Sequence, residues 1–149
     1  MKYYIAYGSN LSLDVMKKRS GSCKVVGTSE LKDMRLVFKG SADNYAYLTL
    51  EKAEGYTVPI AIYEISNFAE KRLDYYEGYP QLYRKELIPF MIQGEEKEGL
   101  IYIMRDIYPK RKPSRQYLRS CLLGYYDFDF PISYLDEALE YSCPKVYQK

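Results

Sequence analysis

Lys2-Tyr3-Tyr4-Ile5-Ala6-Tyr7-Gly8-Ser9-Asn10-Leu11 opens the chain with an apolar run that stops at a glycine. Residues 2–7 read as a short strand rich in aromatic and apolar side chains. Ser9, Asn10 and Ser12 then offer N-cap oxygens to a short helix over roughly residues 13–19. A strand that runs straight into a helix leaves the first amides of that helix unpaired. They form an anion site that the helix dipole strengthens. Gly8 would supply a positive φ and let a ligand approach closely, and Ser9 and Asn10 would add side-chain donors. A plain strand–turn–helix junction with caps would carry the same residues.

Working outward, residues 24–28, 34–39 and 45–51 read as strands separated by glycine and polar turns, and residues 57–65 as a further β-branched strand. Residues 67–77 read as a helix capped by Ser66 or Asn67, closed by Gly78 and stopped by Pro80. Strands follow at 85–92 and 98–105, around the turn Gln93-Gly94-Glu95-Glu96-Lys97. Pro113-Ser114 begins a helix that places Tyr117, Leu118, Cys121 and Leu122 on one face and ends at Gly124. Pro131 suits the first turn of a last helix carrying Ile132, Leu135 and Leu139. Strands dominate the first two thirds and helices frame them, which is an α+β arrangement with an antiparallel or mixed sheet. Periodicity does not choose between an open sheet and a barrel. A length of 149 residues fits one domain spanning 1–149.

Composition removes several chemistries. The chain has no histidine, so neither Ser-His-Asp nor Cys-His catalysis nor His-ligated zinc is available. Acid–base work near neutral pH falls to a carboxylate, Lys, Tyr or Cys of shifted pKa. A net charge of +2 gives no footing for nucleic acid or an anionic membrane. The one basic cluster, Lys110-Arg111-Lys112, sits between Pro109 and Pro113 as a solvated loop. Cys23, Cys121 and Cys143 are odd in number and lack metal-ligand spacing, which fits reduced structural thiols in the cytoplasm. No leader peptide is expected ahead of the first strand, and no apolar stretch approaches membrane-spanning length. Nineteen tyrosines and no tryptophan either line a cleft that is both apolar and hydrogen-bonding or serve as ordinary core.

The second stretch with chemical content is Leu73-Asp74-Tyr75-Tyr76-Glu77-Gly78-Tyr79-Pro80. At ~100° per residue, Ala69, Leu73 and Tyr76 share a face and Glu77 lies about 40° from Leu73, at the border of the buried stripe. Glu77 also falls in the last turn, where the carbonyl end of the helix disfavours a negative charge. Both placements raise a carboxylate pKa. A Glu paired with Arg72 or Lys71 would read the same way. Asp74 lies further round the helix, in a solvated or capping position. Phenols such as Tyr83 and Tyr117 can hold a carboxylate without adding net charge, although chemistry alone does not single them out among nineteen.

Together these motifs resemble the γ-glutamyl cyclotransferase family, of the AIG2-like superfamily. Tyr7-Gly8-Ser9-Asn10-Leu11 follows an N-terminal strand, Leu73-Asp74-x-x-Glu77-Gly78 follows later, and Lys112-Pro113-Ser114-Arg115-Gln116-Tyr117, Gly124 and a helix over 131–141 match the C-terminal part. The resemblance implies a small mixed β-barrel flanked by helices. It implies attack of the α-amine of a γ-glutamyl group on its own γ-carbonyl, releasing 5-oxoproline and an amino acid or amine. Glu77 takes the catalytic position. Tyr7, Gly8, Ser9, Asn10 and Leu11 form the substrate cradle, with Tyr83 and Tyr117 beside it. No cofactor or metal is implied, and the partner is a small γ-glutamyl molecule bound by a monomer or homodimer. The Ser9-Asn10 form resembles branches acting on γ-glutamyl amino acids, whereas Gly78-Tyr79-Pro80-Gln81-Leu82-Tyr83 resembles shorter branches. The leaving group therefore stays open. Removal of a γ-glutamyl protecting group from a larger amine, binding of an acidic small molecule without turnover, and protein contacts through surface tyrosines are the alternatives. Residues 93–97 and 106–113 are candidate lids.

Overall fold

β1 (Lys2–Ala6) is the middle strand of the sheet. The computed structural model describes residues 2–144. β2 (Lys24–Gly40) and β3 (Ala46–Ile65) form one long hairpin, and β4 (Tyr83–Ile92) and β5 (Glu95–Met104) form a second. The strand order is β2-β3-β1-β5-β4. β1 pairs antiparallel with β3, from Lys2 opposite Ile65 to Ala6 opposite Ala61, and parallel with β5 at Tyr4 opposite Leu100. The sheet is therefore mixed. Its twist brings the outer strands toward each other, as sheet twist does. Ser29 Oγ donates to the carbonyl of Met91, and a Cβ on Gly27 would sit 3.1 Å from Ile92. The sheet is barrel-like without closing. Ile5, Phe38, Leu48, Ile60, Ile62 and Tyr63 are fully buried in its core.

Two pairs of expected strands are each one strand. Residues 29–32 pair with 57–60 without a break, and the register of the hairpin shifts twice, between Val25 and Gly27 and between Lys32 and Met34. Asp33 takes the left-handed conformation (φ 59) opposite Gly55 (φ 86), and the Gly55 N–H donates to Asp33 Oδ1 at 3.0 Å. The polar residues read as turns make a bulge in the solvent-exposed middle of the β2–β3 ribbon, where burial does not enforce alternation, before Leu36, Phe38, Leu48 and Leu50 return it to the core.

Four helices flank the sheet: α1 (Leu13–Ser20), α2 (Asn67–Tyr76), α3 (Arg115–Asp127) and α4 (Ser133–Ser142). Ser12, Ser66 and Ser114 cap the first three, each accepting from an amide three residues on. Gly124 does not end its helix. It lies inside α3, buried, where a Cβ would come within 2.5 Å of Leu11 Cβ and 2.6 Å of Ser12 N. The helix ends at the left-handed Asp129 (φ 56). Phe130 N–H bonds Tyr125 O at 2.8 Å, Asp129 N–H bonds Tyr126 O at 3.1 Å, and the Tyr125 and Phe130 rings pack 5.6 Å apart. This is a Schellman closure with its apolar contact. Pro131 lies two residues before α4, not in its first turn.

The segment between β5 and α3 is tied to the β2–β3 hairpin. Gly40 N–H donates to Pro109 O, Arg111 N–H to Phe38 O and Asn44 N–H to Lys112 O. Among the described residues no helix is long and apolar enough to cross a membrane. Cys121 is buried on α3, and burial pushes its thiol up to about 12, while Cys23 and Cys143 are partly exposed and free.

Filling the Gly124 contact forces α3 away from the first turn. Gly124→Ala is expected to cost about 1–3 kcal/mol, read as a lower urea midpoint with unchanged m-value.

Candidate active site

A cleft of about 340 Å³ opens where β1 gives way to the Ser9–Leu11 turn, between α2, α3 and the core end of the β2–β3 hairpin. Ser9–Leu11 is a single 3₁₀ turn, closed by Leu11 N–H to Gly8 O at 3.0 Å and Ser12 N–H to Ser9 O at 3.1 Å. The amides of Gly8, Ser9 and Asn10 have no acceptor among the described residues, and all three residues line the cleft. Gly8 departs from expectation, since its φ is −130 rather than positive. Its use is space: a Cβ would stand 3.4 Å from Leu48 and from the Tyr117 hydroxyl, inside the cleft floor. Leu11 also departs. It is fully buried beneath Gly124 and forms no part of the cleft lining. It supports the cradle from the core side.

Glu77 follows the last turn of α2 as its C-cap residue, its N–H bonded to Leu73 O at 2.8 Å. Its carboxylate turns into the cleft toward Asn10, whose Nδ2 donates to Glu77 Oε1 at 3.0 Å and to the Tyr4 hydroxyl at 2.8 Å. Asn10 Oδ1 in turn accepts from Arg19 Nη1 at 3.0 Å, and the same nitrogen donates to Ser9 Oγ at 3.0 Å. The residue keeps some exposure through the cleft mouth, yet protein surrounds its carboxyl group. Burial pushes Glu77 up to about 7, against the opposing pull of the Arg19 charge and the Asn10 hydrogen bond. Neither Arg72 nor Lys71 pairs with it. Arg72 instead donates to the carbonyls of Arg19 and Lys18.

Among the described residues eight tyrosines line this cleft, Tyr7, Tyr83 and Tyr117 among them. Tyr7 Oη donates to Tyr102 O at 2.6 Å and Tyr83 Oη to Leu48 O at 2.7 Å, while Leu48 N–H donates to Tyr117 Oη at 3.0 Å. The Leu48 peptide is thus gripped at both ends. Burial holds the phenols of Tyr7, Tyr83 and Tyr117 well above their ordinary range, so they stay neutral donors. The tyrosine count reflects a polar-tipped cleft wall.

Asp74 is neither solvated nor a cap. It accepts from the Tyr102 hydroxyl at 2.6 Å and from Lys85 Nζ at 3.1 Å, and Lys85 also bonds Glu70 at 2.8 Å. Arg19, Tyr4, Tyr102 and the Leu48 backbone are lining groups that sequence reasoning missed. Arg19 stands nine residues beyond Asn10 on the helix that follows the cradle, a local signal. Leu48 carried none. Neither residues 93–97 nor 106–113 line the cleft.

A carboxyl whose folded pKa lies near 7 instead of its ordinary 4.5 stabilises the fold most when protonated. That contribution is present below pH 4.5 and is lost as pH rises through about 7. Its span is at most about 3 kcal/mol, less what solvent at the cleft mouth screens. Urea titrations at stepped pH are expected to show wild-type stability falling across this window relative to Glu77→Gln.

Three comparisons bear on this geometry. The chain has no match among curated proteins. A solved γ-glutamyl cyclotransferase structure superposes with a TM-score of 0.78 at 24% identity, covering 92% of this chain and 85% of the other. A human protein described as uncharacterized gives 0.77 at 24% identity with the same coverages. YkqA from Bacillus subtilis gives 0.73 at 17% identity, covering 95% of this chain and 54% of its own. These likenesses carry the fold. The sequence pattern described as "Gamma-glutamyl cyclotransferase, AIG2-like" matches residues 4–126, a span that holds most of β1, the cradle, Glu77 and Tyr117, and the chain belongs to that family.

Proposed function

We propose that the protein converts a γ-glutamyl amino acid or amine to 5-oxoproline, with Glu77 as the general base. The observation that carries this reading is a surrounded carboxylate, poised near pH 7, in the same cleft as three unspent amides. At neutral pH the α-amine of a γ-glutamyl group is mostly protonated and cannot attack. Glu77 takes one proton from it. The amine lone pair then forms the bond to the γ-carbonyl carbon, and a tetrahedral centre develops. The amides of Gly8, Ser9 and Asn10 hold either the substrate carboxylate or the developing oxyanion. Collapse breaks the bond to the leaving nitrogen, which takes the proton back from Glu77. The ring nitrogen, still carrying two hydrogens, then gives its second proton through the freed Glu77 carboxylate to the departing amine, which leaves as an ammonium ion. One carboxylate serves both steps, and ring closure is intramolecular, so holding the folded conformer is a large share of the task. Tyr7, Tyr83 and Tyr117 are neutral and add no charge that would compete with the carboxylate.

Family membership and the fold support a cyclotransferase-type enzyme. A module that only bound an acidic small molecule would gain nothing from a carboxylate beside its anion cradle, since like charges repel.

Purified protein incubated with a panel of γ-glutamyl amino acids and γ-glutamyl amines is expected to yield 5-oxoproline by mass spectrometry. Glu77→Gln is expected to lower turnover by roughly 10²–10⁴-fold with the fold retained. Normal turnover in that variant removes Glu77 from the base role. Because the base must be deprotonated, kcat/KM is expected to fall as pH drops below about 7.

A further inference from the structure

Arg19 is the only cation in the cleft lining among the described residues. Its donors are aimed with care. One nitrogen, Nη1, reaches both Ser9 Oγ and Asn10 Oδ1 at 3.0 Å. A guanidinium has no acceptor, so the atom of Asn10 that faces it is the carbonyl oxygen. The carboxamide is then committed: its NH₂ faces Tyr4 Oη at 2.8 Å and Glu77 Oε1 at 3.0 Å. The flipped amide would set donor against donor at Arg19 and acceptor against acceptor at Glu77. No ion pair joins Arg19 to Glu77 among the described residues, whereas Asn10 touches both.

The two helices that carry these groups are fastened to each other. Arg72 of α2 donates through Nε to the carbonyl of Arg19 at 3.0 Å and through Nη2 to Lys18 O at 3.1 Å. The Arg19 guanidinium stands 5.6 Å over the Tyr76 ring, next to Glu77 in the chain. The end of α1 is therefore held against the end of α2, and the guanidinium has a fixed seat.

We infer that Arg19 is a positioning residue for Glu77, acting through its charge and through Asn10, whose side-chain orientation it fixes so that an N–H always points at the carboxylate. The inference rests on Glu77 being the base. The other titratable groups that share the cleft and feel the Glu77 charge are Tyr4 from β1, Tyr7 from the cradle, Tyr83 from β4, Tyr102 from β5 and Tyr117 from α3. All are phenols kept neutral by burial. Among the described residues Arg19 is thus the one permanent charge working on Glu77, and it opposes the effect of burial.

The test uses Arg19→Gln and Arg19→Lys in the full chain, with two readouts: the acidic limb of the kcat/KM–pH profile, and the titration of the Glu77 carboxyl carbon by ¹³C NMR, assigned against Glu77→Gln. With the positive charge gone, both midpoints are expected to move up by roughly one pH unit in Arg19→Gln. Arg19→Lys keeps the charge without the fork and is expected to recover part of the shift. A uniform fall in kcat/KM with neither midpoint moved would make Arg19 a mere brace of the cradle and overturn the inference. If Arg19→Gln does not fold, Arg19→Met, which keeps the stem and loses the charge, carries the same test, and an unmoved midpoint there overturns it equally. A moved NMR midpoint in a protein that makes no 5-oxoproline from any substrate would sustain the action of Arg19 on Glu77 and discard the proposed reaction.

Discussion

The close approach of α3 to the Leu11–Ser12 backbone, possible only because residue 124 has no side chain, sets the geometry of everything around the cleft. Leu11 is wedged beneath the helix, and its burial pins the turn that presents the amides of Gly8, Ser9 and Asn10. The same helix carries Tyr117 seven residues earlier, and that spacing sets its hydroxyl against the Leu48 amide and the open space above Gly8. Cradle and ceiling are one packed unit. Interiors packed to crystal-like density transmit such constraints because they deform in discrete steps.

A second constraint is electrostatic. A carboxylate in a surrounded position costs free energy unless it is paired or neutralised, and a sequence selected for stability alone would place a cation at the end of α2. Among the described residues Glu77 has no ion pair and shares its cleft with phenols. The strong ion pairs lie behind the cleft wall instead, where Lys85 bridges Glu70 and Asp74 and Asp74 receives the Tyr102 hydroxyl. Tyr102 separates the two regimes: its hydroxyl belongs to the paired network and its carbonyl receives Tyr7 from the cleft. Local conflict at one residue, with consistency elsewhere, is the pattern expected of a working site.

The parts of this design written in local sequence were legible. The serine caps of α1 to α3 need only three residues to declare themselves, and the strand that breaks at Gly8 reveals its unpaired amides. Glu77 stood out because helical spacing and the helix terminus act on it together. What stayed hidden depends on distant partners. The bulge at Asp33 looks like a turn until Gly55, 22 positions away, donates to its side chain. Gly124 looks like a helix stop until Leu11 arrives against it. Asp74 looks solvated until Lys85 and Tyr102 fold over it. Leu11 reads as part of the cradle motif, and only its zero exposure shows that it faces the other way.

The unclosed seam between β2 and β4 has an effect on how these molecules meet one another. An edge strand normally offers a row of unpaired backbone groups to any neighbouring chain. Here the two edges curl to face each other across a groove of about 660 Å³, tethered at Ser29 and Met91. Glu30, Lys32, Lys52, Glu86 and Glu96 stand along it, and Pro89 interrupts the donor row of β4. A passing strand would have to enter between charged side chains and find one donor missing. The near-closure that shapes the fold also leaves little of either edge open to another strand, by curvature rather than by an added covering element.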